Sequence, residues 1–221
     1  MTSVFNIDLP AALATIARQV NASGKRTRIR QQALDLIEDE NLAAPAFCYR
    51  ELPARKLESD WLKVGDVKLQ VPGMKDEAAK LTSLVALVCT LGPAFEARVS
   101  ALFAERKVSL ALALDELGSR LLFYTSRLAT LQTRRESRRR GLAVGNALHP
   151  GDKGLAIDQQ ATILSQAAGD KIGVTLTGQG MLSPVKSMSM IIGLGTGLAL
   201  EPIRRRCETC VSRKQCTQQT C

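Results

Sequence analysis

The chain has 221 residues, of which 45% are hydrophobic and 23% are charged. These proportions are typical of an ordinary globular protein and exclude a predominantly disordered chain. Two features are unusual: a formal net charge of +9, and six cysteines, four of which lie in the last 15 residues.

The positive charge is concentrated in three segments, residues 18–30, 127–140 and 204–221, so the rest of the chain is mildly acidic. Basic segments of this kind attract phosphate, nucleic acid or an acidic protein. The alternative for each segment is a helix face exposed to solvent.

Two helices are predicted near the N-terminus. Asp8 is placed to cap a helix that runs to about Val20 with apolar residues at helical spacing, and a second helix is predicted over 27–40 with Arg26, Arg28 and Arg30 in solvent. An extended piece over 46–52 follows, and alternating apolar residues predict a half-buried strand over 66–71.

The middle of the chain contains the clearest pattern. The run LVALVCT at 84–90 is short, uniformly apolar and followed by Gly-Pro, which predicts a buried central strand. A helix over 93–106 and a long helix from Val108 to about Arg135 are predicted next. Gly118 in the long helix predicts close packing.

The C-terminal part is predicted to contain a glycine-rich loop over 141–154, a helix over 158–168, and the last two strands over 172–177 and 187–194. Helices outnumber strands, and their order is not a regular βαβ alternation. The fold class is therefore predicted as α+β.

The longest apolar runs, 84–92 and 188–200, are shorter than the roughly 18 residues that a membrane-spanning helix needs. The N-terminus lacks the charged and apolar regions of a secretory signal. We therefore expect no membrane span and a reducing, cytoplasmic location, where structural disulfides are rare.

The four tail cysteines have the spacing C-x2-C-x5-C-x4-C and are the strongest motif of the sequence; they are Cys207, Cys210, Cys216 and Cys221. Thiolates are soft ligands, and a four-cysteine set suits an iron–sulfur cluster or tetrahedral zinc. The alternative interpretations are a redox-active disulfide pair and cysteines without a chemical role. The tail has no histidine and no aromatic residue to stack on bases, which favours the cluster over a zinc knuckle.

Other reactive residue types have structural interpretations. Cys48 and Cys89 lie in predicted strands and are expected to be buried apolar residues. His149 is the only histidine and is expected to be a solvent-facing turn residue, so catalysis by a histidine triad is not expected. Asp115 and Glu116, like the acidic residues of the second helix (Asp35, Glu38 and Asp39), are expected to be exposed helix charges.

Four segments together resemble those of one known family. Residues 85–100 resemble an apolar strand ending in T-L-G before a helix, and 112–120 resemble a helix that begins around an aspartate. His149-Pro150-Gly151 resembles a loop of type S-P-G-Y, and 172–195 resemble a final hairpin of the form L-T-x-x-x-M-x-P-x-K-S-x-S. The family is the activation (reactivation) domain of cobalamin-dependent methionine synthase, including free-standing relatives, and the resemblance covers roughly residues 10–200.

The resemblance implies an α+β domain with a twisted antiparallel sheet flanked by helices. It also implies docking on a corrinoid (cobalamin) protein or methyltransferase and help in returning cob(II)alamin to cob(I)alamin. In the methionine synthase domain, S-adenosylmethionine then supplies a methyl group, and its loop R-x-x-P-G-Y maps Pro150 and Gly151 onto cofactor-binding positions. Here Asp152 replaces the aromatic residue and the arginine is not in its place, which counts against S-adenosylmethionine binding.

The sequence therefore predicts an activation-domain-like domain over 1–203 and a metal-binding tail over 204–221. The first interpretation is an accessory redox protein that carries a [4Fe-4S] cluster on the four tail cysteines and needs an external electron donor. A zinc-binding basic module that contacts nucleic acid is the second, and S-adenosylmethionine-dependent corrinoid reactivation is the third. The sequence does not decide whether the protein is itself an enzyme.

Overall fold

The computed structural model of the protein describes residues 2–22, 27–58 and 60–198. The α-helices are α1 (Leu9–Ala22), α2 (Thr27–Asp39), α3 (Ala94–Ala104), α4 (Val108–Arg139) and α5 (Gln160–Ala167). The strands are β1 (Thr2–Asn6), β2 (Ala46–Lys56), β3 (Trp61–Val64), β4 (Val67–Gln70), β5 (Leu81–Thr90), β6 (Ala143–Leu148), β7 (Thr175–Leu176), β8 (Leu182–Ser183) and β9 (Ser187–Gly195).

Seven of these strands form one sheet in the order β4-β3-β2-β5-β9-β6, with β1 beside the first half of β2. Every pairing is antiparallel. The remaining two strands, β7 and β8, form a separate short hairpin. Together with the helices this is the α+β architecture that the sequence predicts.

The central strand β5 is buried on both faces. Val85, Leu87 and Cys89 point into one hydrophobic core, and the alternate residues, Leu84, Ala86 and Val88, point into a second core on the other side of the sheet. Because side chains alternate between the faces of a strand, covering both faces requires an apolar residue at nearly every position. This explains the uninterrupted LVALVCT run.

Helices α1 to α4 cover the first face. The long helix α4 packs on the sheet, and α1, α2 and α3 lie against α4. On this face Phe5 of β1 stacks on Phe47 and Tyr49 of β2, with ring centroids 4.8 and 5.9 Å away. Helix α5 and the β3–β4 hairpin supply side chains to the core of the second face.

Several predicted elements are confirmed. The Asp8 carboxylate accepts a hydrogen bond of 3.2 Å from the backbone N–H of Ala11, as expected of an N-cap. The second helix, the buried strand, the helix after Pro93 and the long helix lie where the patterns place them. Gly118 allows close packing as predicted, since a Cβ atom there would lie 2.4 Å from Cε1 of Phe95.

The expectation of a loop over 141–154 is wrong in its first half. Residues 143–148 form β6, which pairs with β9, and the register shifts between Val144 and Ala147. The intervening Gly145 and Asn146 therefore occupy a bulge, where residues typical of turns are tolerated inside a strand. Because a bulge interrupts the alternation of apolar and polar residues, the sequence pattern does not indicate this edge strand.

Three smaller predictions also need correction. The sequence patterns predict no strand at β1, β3 or β8, and the strand expected over 172–177 is reduced to Thr175–Leu176. Arg30 does not stay in solvent, because its side chain is 16% exposed and binds Glu116 at 3.0 Å. Arg26 lies outside the described residues. No helix in the described part of the chain is long and apolar enough to cross a membrane.

Candidate functional site

Four strands, β2, β5, β6 and β9, begin or end on the same side of the sheet, along the border that runs across the strand ends. β5 ends at Thr90 opposite Ser187, where β9 begins, and Thr90 also lies opposite Ala46 at the start of β2. β6 ends beside β9, with Leu148 opposite Ile191. The antiparallel topology thus places the four segments that carry the family resemblance near one another, and we call this region the motif edge.

The first contact at the motif edge joins the end of β5 to the residues before β9. The backbone N–H of Leu91 donates to the carbonyl of Lys186 at 2.9 Å, and the Ser187 hydroxyl donates to Oγ1 of Thr90 at 2.8 Å. Oγ1 of Thr90 also accepts from the N–H of Gly92 at 3.1 Å, and Gly92 has a φ of +84°. Thr90 is 2% exposed, so these bonds satisfy a buried hydroxyl.

The second contact joins the same segment to α4. The ammonium group of Lys186 lies 2.7 Å from Oδ1 of Asp115 and 2.9 Å from the hydroxyl of Ser119. The Lys186 side chain is 11% exposed and that of Asp115 is 49% exposed, so the carboxylate covers the ammonium on its solvent side. Asp115 is therefore not simply a solvated helix charge.

Glu116, the neighbour of Asp115, is also more than a surface charge. It binds Arg30 of α2 at 3.0 Å and Arg120 of α4 at 3.0 Å, and its side chain is 27% exposed. Burial alone raises the pKa of Glu116, but hydrogen bonds from the two arginines outweigh it and hold the pKa below its usual value. Its role is to tie α2 to α4.

Helix α3 completes the motif edge. The carboxylate of Glu96, in its first turn, accepts a hydrogen bond from the backbone N–H of Val185. Phe95 is fully buried. Because Gly118 has no side chain, one turn of α4 can pack directly on the Phe95 ring. Helix α3, which follows the T-L-G segment, therefore contacts both α4 and the residues just before β9.

The loop after β6 holds the predicted cofactor-binding residues Pro150 and Gly151. It begins with His149, whose Nδ1 lies 3.0 Å from the carbonyl oxygen of Ser189. A carbonyl only accepts, so Nδ1 carries the proton and donates. The prediction of a solvent-facing histidine is therefore wrong: His149 is half-buried and fastens the loop to β9.

Asp152 closes this loop. Its carboxylate accepts from the backbone N–H of His149 at 3.2 Å, and its own N–H donates to the His149 carbonyl at 2.9 Å. Gly151 has a φ of +92° and donates to the carbonyl of Leu155 at 2.9 Å. Asp152 thus makes a turn at the position where the resembled loop has an aromatic ring.

The structure confirms the prediction for Cys48 and Cys89, which are both fully buried. Burial, with a smaller contribution from Asp170, raises the pKa of the Cys48 thiol to about 11, and burial raises that of Cys89 to about 12. Thiols are nucleophiles and metal ligands only as thiolates, so neither is suited to those roles at neutral pH.

The predicted metal ligands Cys207, Cys210, Cys216 and Cys221 lie outside the described residues, and their assignment stays a prediction. Within residues 2–22, 27–58 and 60–198, no group of three or more histidine, cysteine or acidic side chains is placed to hold a metal ion.

A second polar cluster, which the sequence analysis missed, lies where α4 ends over β2 and β5. It surrounds an open cleft of about 530 Å³, which we call the Tyr49 cleft. Its polar lining consists of Ser3, Tyr49, Glu51, Thr82, Ser83, Glu136 and Arg140. These residues are far apart in the chain and belong to no local motif, so no spacing pattern could have revealed them.

The charged groups of the Tyr49 cleft all have hydrogen-bond partners within the protein. Arg140 binds both carboxylate oxygens of Glu51, at 3.1 and 2.5 Å, and the Ser83 hydroxyl donates to Glu51 at 2.6 Å. The Tyr49 hydroxyl donates to Glu136. Burial and this hydrogen bond raise the pKa of Tyr49 well above its usual value, so the phenol stays protonated.

No family model matches the sequence, and no curated protein matches it. Among solved structures, the chain is similar to the MetH reactivation domain bound to AdoHcy, with a TM-score of 0.68 and 14% sequence identity. The match covers 100% of this chain and 87% of that one, so the described part of this protein has the fold of the MetH reactivation domain.

Proposed function

We propose that this protein takes part in corrinoid reactivation: it docks on a corrinoid-carrying protein and supports the return of cob(II)alamin to cob(I)alamin. The observation that carries the proposal is the convergence of all four resembling segments at the motif edge, through Thr90, Lys186, Asp115 and His149. Segments that resemble a family only by chance have no reason to contact one another. The shared fold supports the same conclusion.

We further propose that the tail supplies the electron. Cys207, Cys210, Cys216 and Cys221 would hold a [4Fe-4S] cluster, which would supply one-electron transfer, and an external one-electron reductant would restore it. Each turnover then adds one electron to cob(II)alamin and removes one from the reductant. The support is the spacing of the cysteines in the sequence.

S-adenosylmethionine is not part of this proposal. The structurally similar MetH domain is bound to AdoHcy. Compared with the R-x-x-P-G-Y loop that this chain resembles, Asp152 replaces the aromatic residue and the arginine is not in its place. The Asp152 carboxylate is engaged by the N–H of His149. The residues present therefore do not fit this ligand, and we derive no methyl-transfer step.

Metal content is the first test. We expect the full chain, purified without oxygen, to be brown, to contain iron and sulfide in equal amounts, and to give a cluster signal by electron paramagnetic resonance after reduction. The double variant Cys207→Ser/Cys210→Ser should lose the iron, whereas Thr217→Ser should keep it. A colourless protein with one zinc per chain would exclude the cluster and favour the zinc-module interpretation.

Reactivation is the second test. A cobalamin-dependent methionine synthase that lacks its own reactivation domain is first prepared in the cob(II) state. Titanium(III) citrate is then added as the electron donor, with or without the full chain. We expect the full chain to accelerate loss of the cob(II) paramagnetic signal and the double cysteine variant to be slower. No acceleration by the wild-type chain contradicts the docking proposal, whereas equal acceleration by both contradicts only the role of the cluster.

A further inference from the structure

The outward side of the C-terminal part of α4, residues 127–139, carries five arginines, which we call the arginine face: Arg127, Arg134, Arg135, Arg138 and Arg139. At 3.6 residues per turn they fall within about 140° of the helix circumference and span about 18 Å along the axis. All are exposed except Arg134, which is half-buried. The face is therefore a continuous strip of positive charge.

The acidic residues nearby do not neutralise this strip. The carboxylate of Glu136, the only acid between residues 127 and 140, is bound by Tyr49 and by Gln132 at 2.7 Å, on the side of the helix that faces the sheet. Glu51 is bound to Arg140. None of the five arginines has an ion pair with another described residue.

One arginine of this strip, Arg134, also has a hydrogen-bond donor without an acceptor. Its Nε–H is buried and has no acceptor among the described atoms. Burial and the neighbouring charge of Arg138 both lower the pKa of Arg134, which means that the surroundings disfavour its charge. Five like charges on one surface repel one another, and an anionic partner would remove that cost.

The chemistry of the strip distinguishes between anionic partners. Its cations are all guanidinium groups, whose planar forks bind carboxylates or phosphates in pairs of hydrogen bonds. The same side of the helix also carries Leu128 and Leu131, which are half-buried, and Phe123, which is 44% exposed. Protein interfaces combine arginine with aromatic and apolar residues, whereas a phosphate backbone offers no apolar contact.

We propose that the arginine face binds an acidic protein surface, specifically a helix with carboxylates one turn apart and aliphatic residues between them. The pairs Arg134/Arg138 and Arg135/Arg139 are each separated by one helical turn, about 6 Å, which matches the spacing of carboxylates at positions i and i+4 of a partner helix. Leu128, Leu131 and Phe123 supply the apolar contacts. This surface does not depend on the corrinoid function or on a metal.

The test uses a synthetic 20-residue helical peptide with glutamate at i and i+4 and leucine between, and measures its binding to the full chain by fluorescence anisotropy. We expect binding to weaken about tenfold between low and high salt, because exposed charges are screened. The variant Arg135→Glu/Arg138→Glu should weaken binding by at least about tenfold. The matched control Arg55→Glu/Lys56→Glu makes the same charge change at two exposed residues of β2 and should bind within about twofold of wild type.

Circular dichroism and thermal melting establish that both double variants fold, since all four substituted residues are exposed. Three results would overturn the proposal: no binding of the peptide to the wild-type chain, equal binding by the Arg135→Glu/Arg138→Glu variant, or tighter binding of a mixed-sequence single-stranded oligonucleotide than of the peptide. The last result would assign the arginine face to nucleic acid. Because the peptide carries no corrinoid, failure here leaves the reactivation assay unaffected.

Discussion

At the motif edge, the ammonium group of Lys186 is covered by Asp115 and bonded to Ser119, whereas on the arginine face five guanidinium groups have no ion pair with a described residue. Both regions involve the same helix, α4, about two turns apart at their nearest residues. At the motif edge the charge joins two parts of the chain. On the arginine face it is available to another molecule.

This difference separates two kinds of charged side chain: a structural charge, which is paired inside the protein, and a recognition charge, which is left for a binding partner. A cation with an internal partner contributes to stability, and its removal is expected to cost free energy. A cation without a partner contributes little to stability or opposes it, and it remains available to an anionic partner. Substitutions in the two regions should therefore have opposite effects on the free energy of unfolding.

The largest effect is expected for the packing that supports the motif edge. Gly118→Val places a Cβ atom 2.4 Å from the buried ring of Phe95, so α3 and α4 must separate, and we expect a loss of about 3 kcal/mol in urea denaturation. Gly178→Ala is the control, since nothing lies within 4 Å of a Cβ atom there. Equal unfolding midpoints for the two variants would show that α3 and α4 are not held in close contact.

A smaller loss is expected when the internal cation is removed. Lys186→Met keeps most of the side-chain volume but leaves Asp115 and Ser119 without the ammonium, and we expect a cost of about 1–2 kcal/mol. This loss in the free energy of unfolding is at the low end for a buried ion pair, because water can reach the half-exposed Asp115 carboxylate. Lys68→Met, at an exposed position of β4, should change stability by less than about 0.5 kcal/mol.

A loss at the lower end of this range is expected at the Tyr49 cleft, where stability also depends on pH. Burial alone raises the pKa of Glu51, but hydrogen bonds from Arg140 and Ser83 outweigh it and hold the pKa below its usual value. This pairing therefore stabilises the fold above the unfolded-state pKa of about 4.3, and the stabilisation is lost as pH falls through the lower folded-state pKa. Glu51→Gln should cost about 1 kcal/mol at pH 7, reduced by solvent screening because the Arg140 side chain is 49% exposed.

The same variant tests the sign of the pH effect. Thermal melts of wild type and Glu51→Gln should converge as the pH is lowered, because protonation removes from the wild type the charge that the substitution already lacks. A stability difference that stays constant from pH 7 to about pH 3 would show that Glu51 acts by packing and not by charge.

Much of the fold could be predicted from the sequence because its strongest signals are local. The LVALVCT run, the Asp8 cap and the long apolar stripe of α4 each fix an element within a few residues. β1 and β6 could not be found in this way. β1 forms only because β2 offers it a free side, and the bulge at Gly145–Asn146 makes β6 look like a loop.

The candidate site was predicted in part for the same reason. The motif segments were recognised individually, but their contacts depend on tertiary structure: the pairing of Thr90 with Ser187 and of Lys186 with Asp115 joins residues far apart in the chain. A histidine beside a proline usually lies in a turn, so the sequence predicts a solvent-facing His149. The carbonyl of Ser189, which holds its ring, belongs to a strand 40 residues away.

The smallest effect has the opposite sign and is the sharpest test of the comparison. Arg134→Met removes the buried Nε–H that has no acceptor and the repulsion by Arg138, while methionine fills the space of the arginine stem, so we expect a gain of about 0.5 kcal/mol. Arg120→Met is the matched control: that side chain is 10% exposed and paired with Glu116, so the same substitution should destabilise. The gain at Arg134 should shrink between about 20 mM and about 500 mM salt, as screening weakens the repulsion. If both arginines destabilise the protein when replaced, Arg134 is a structural charge, and the arginine face loses its half-buried member.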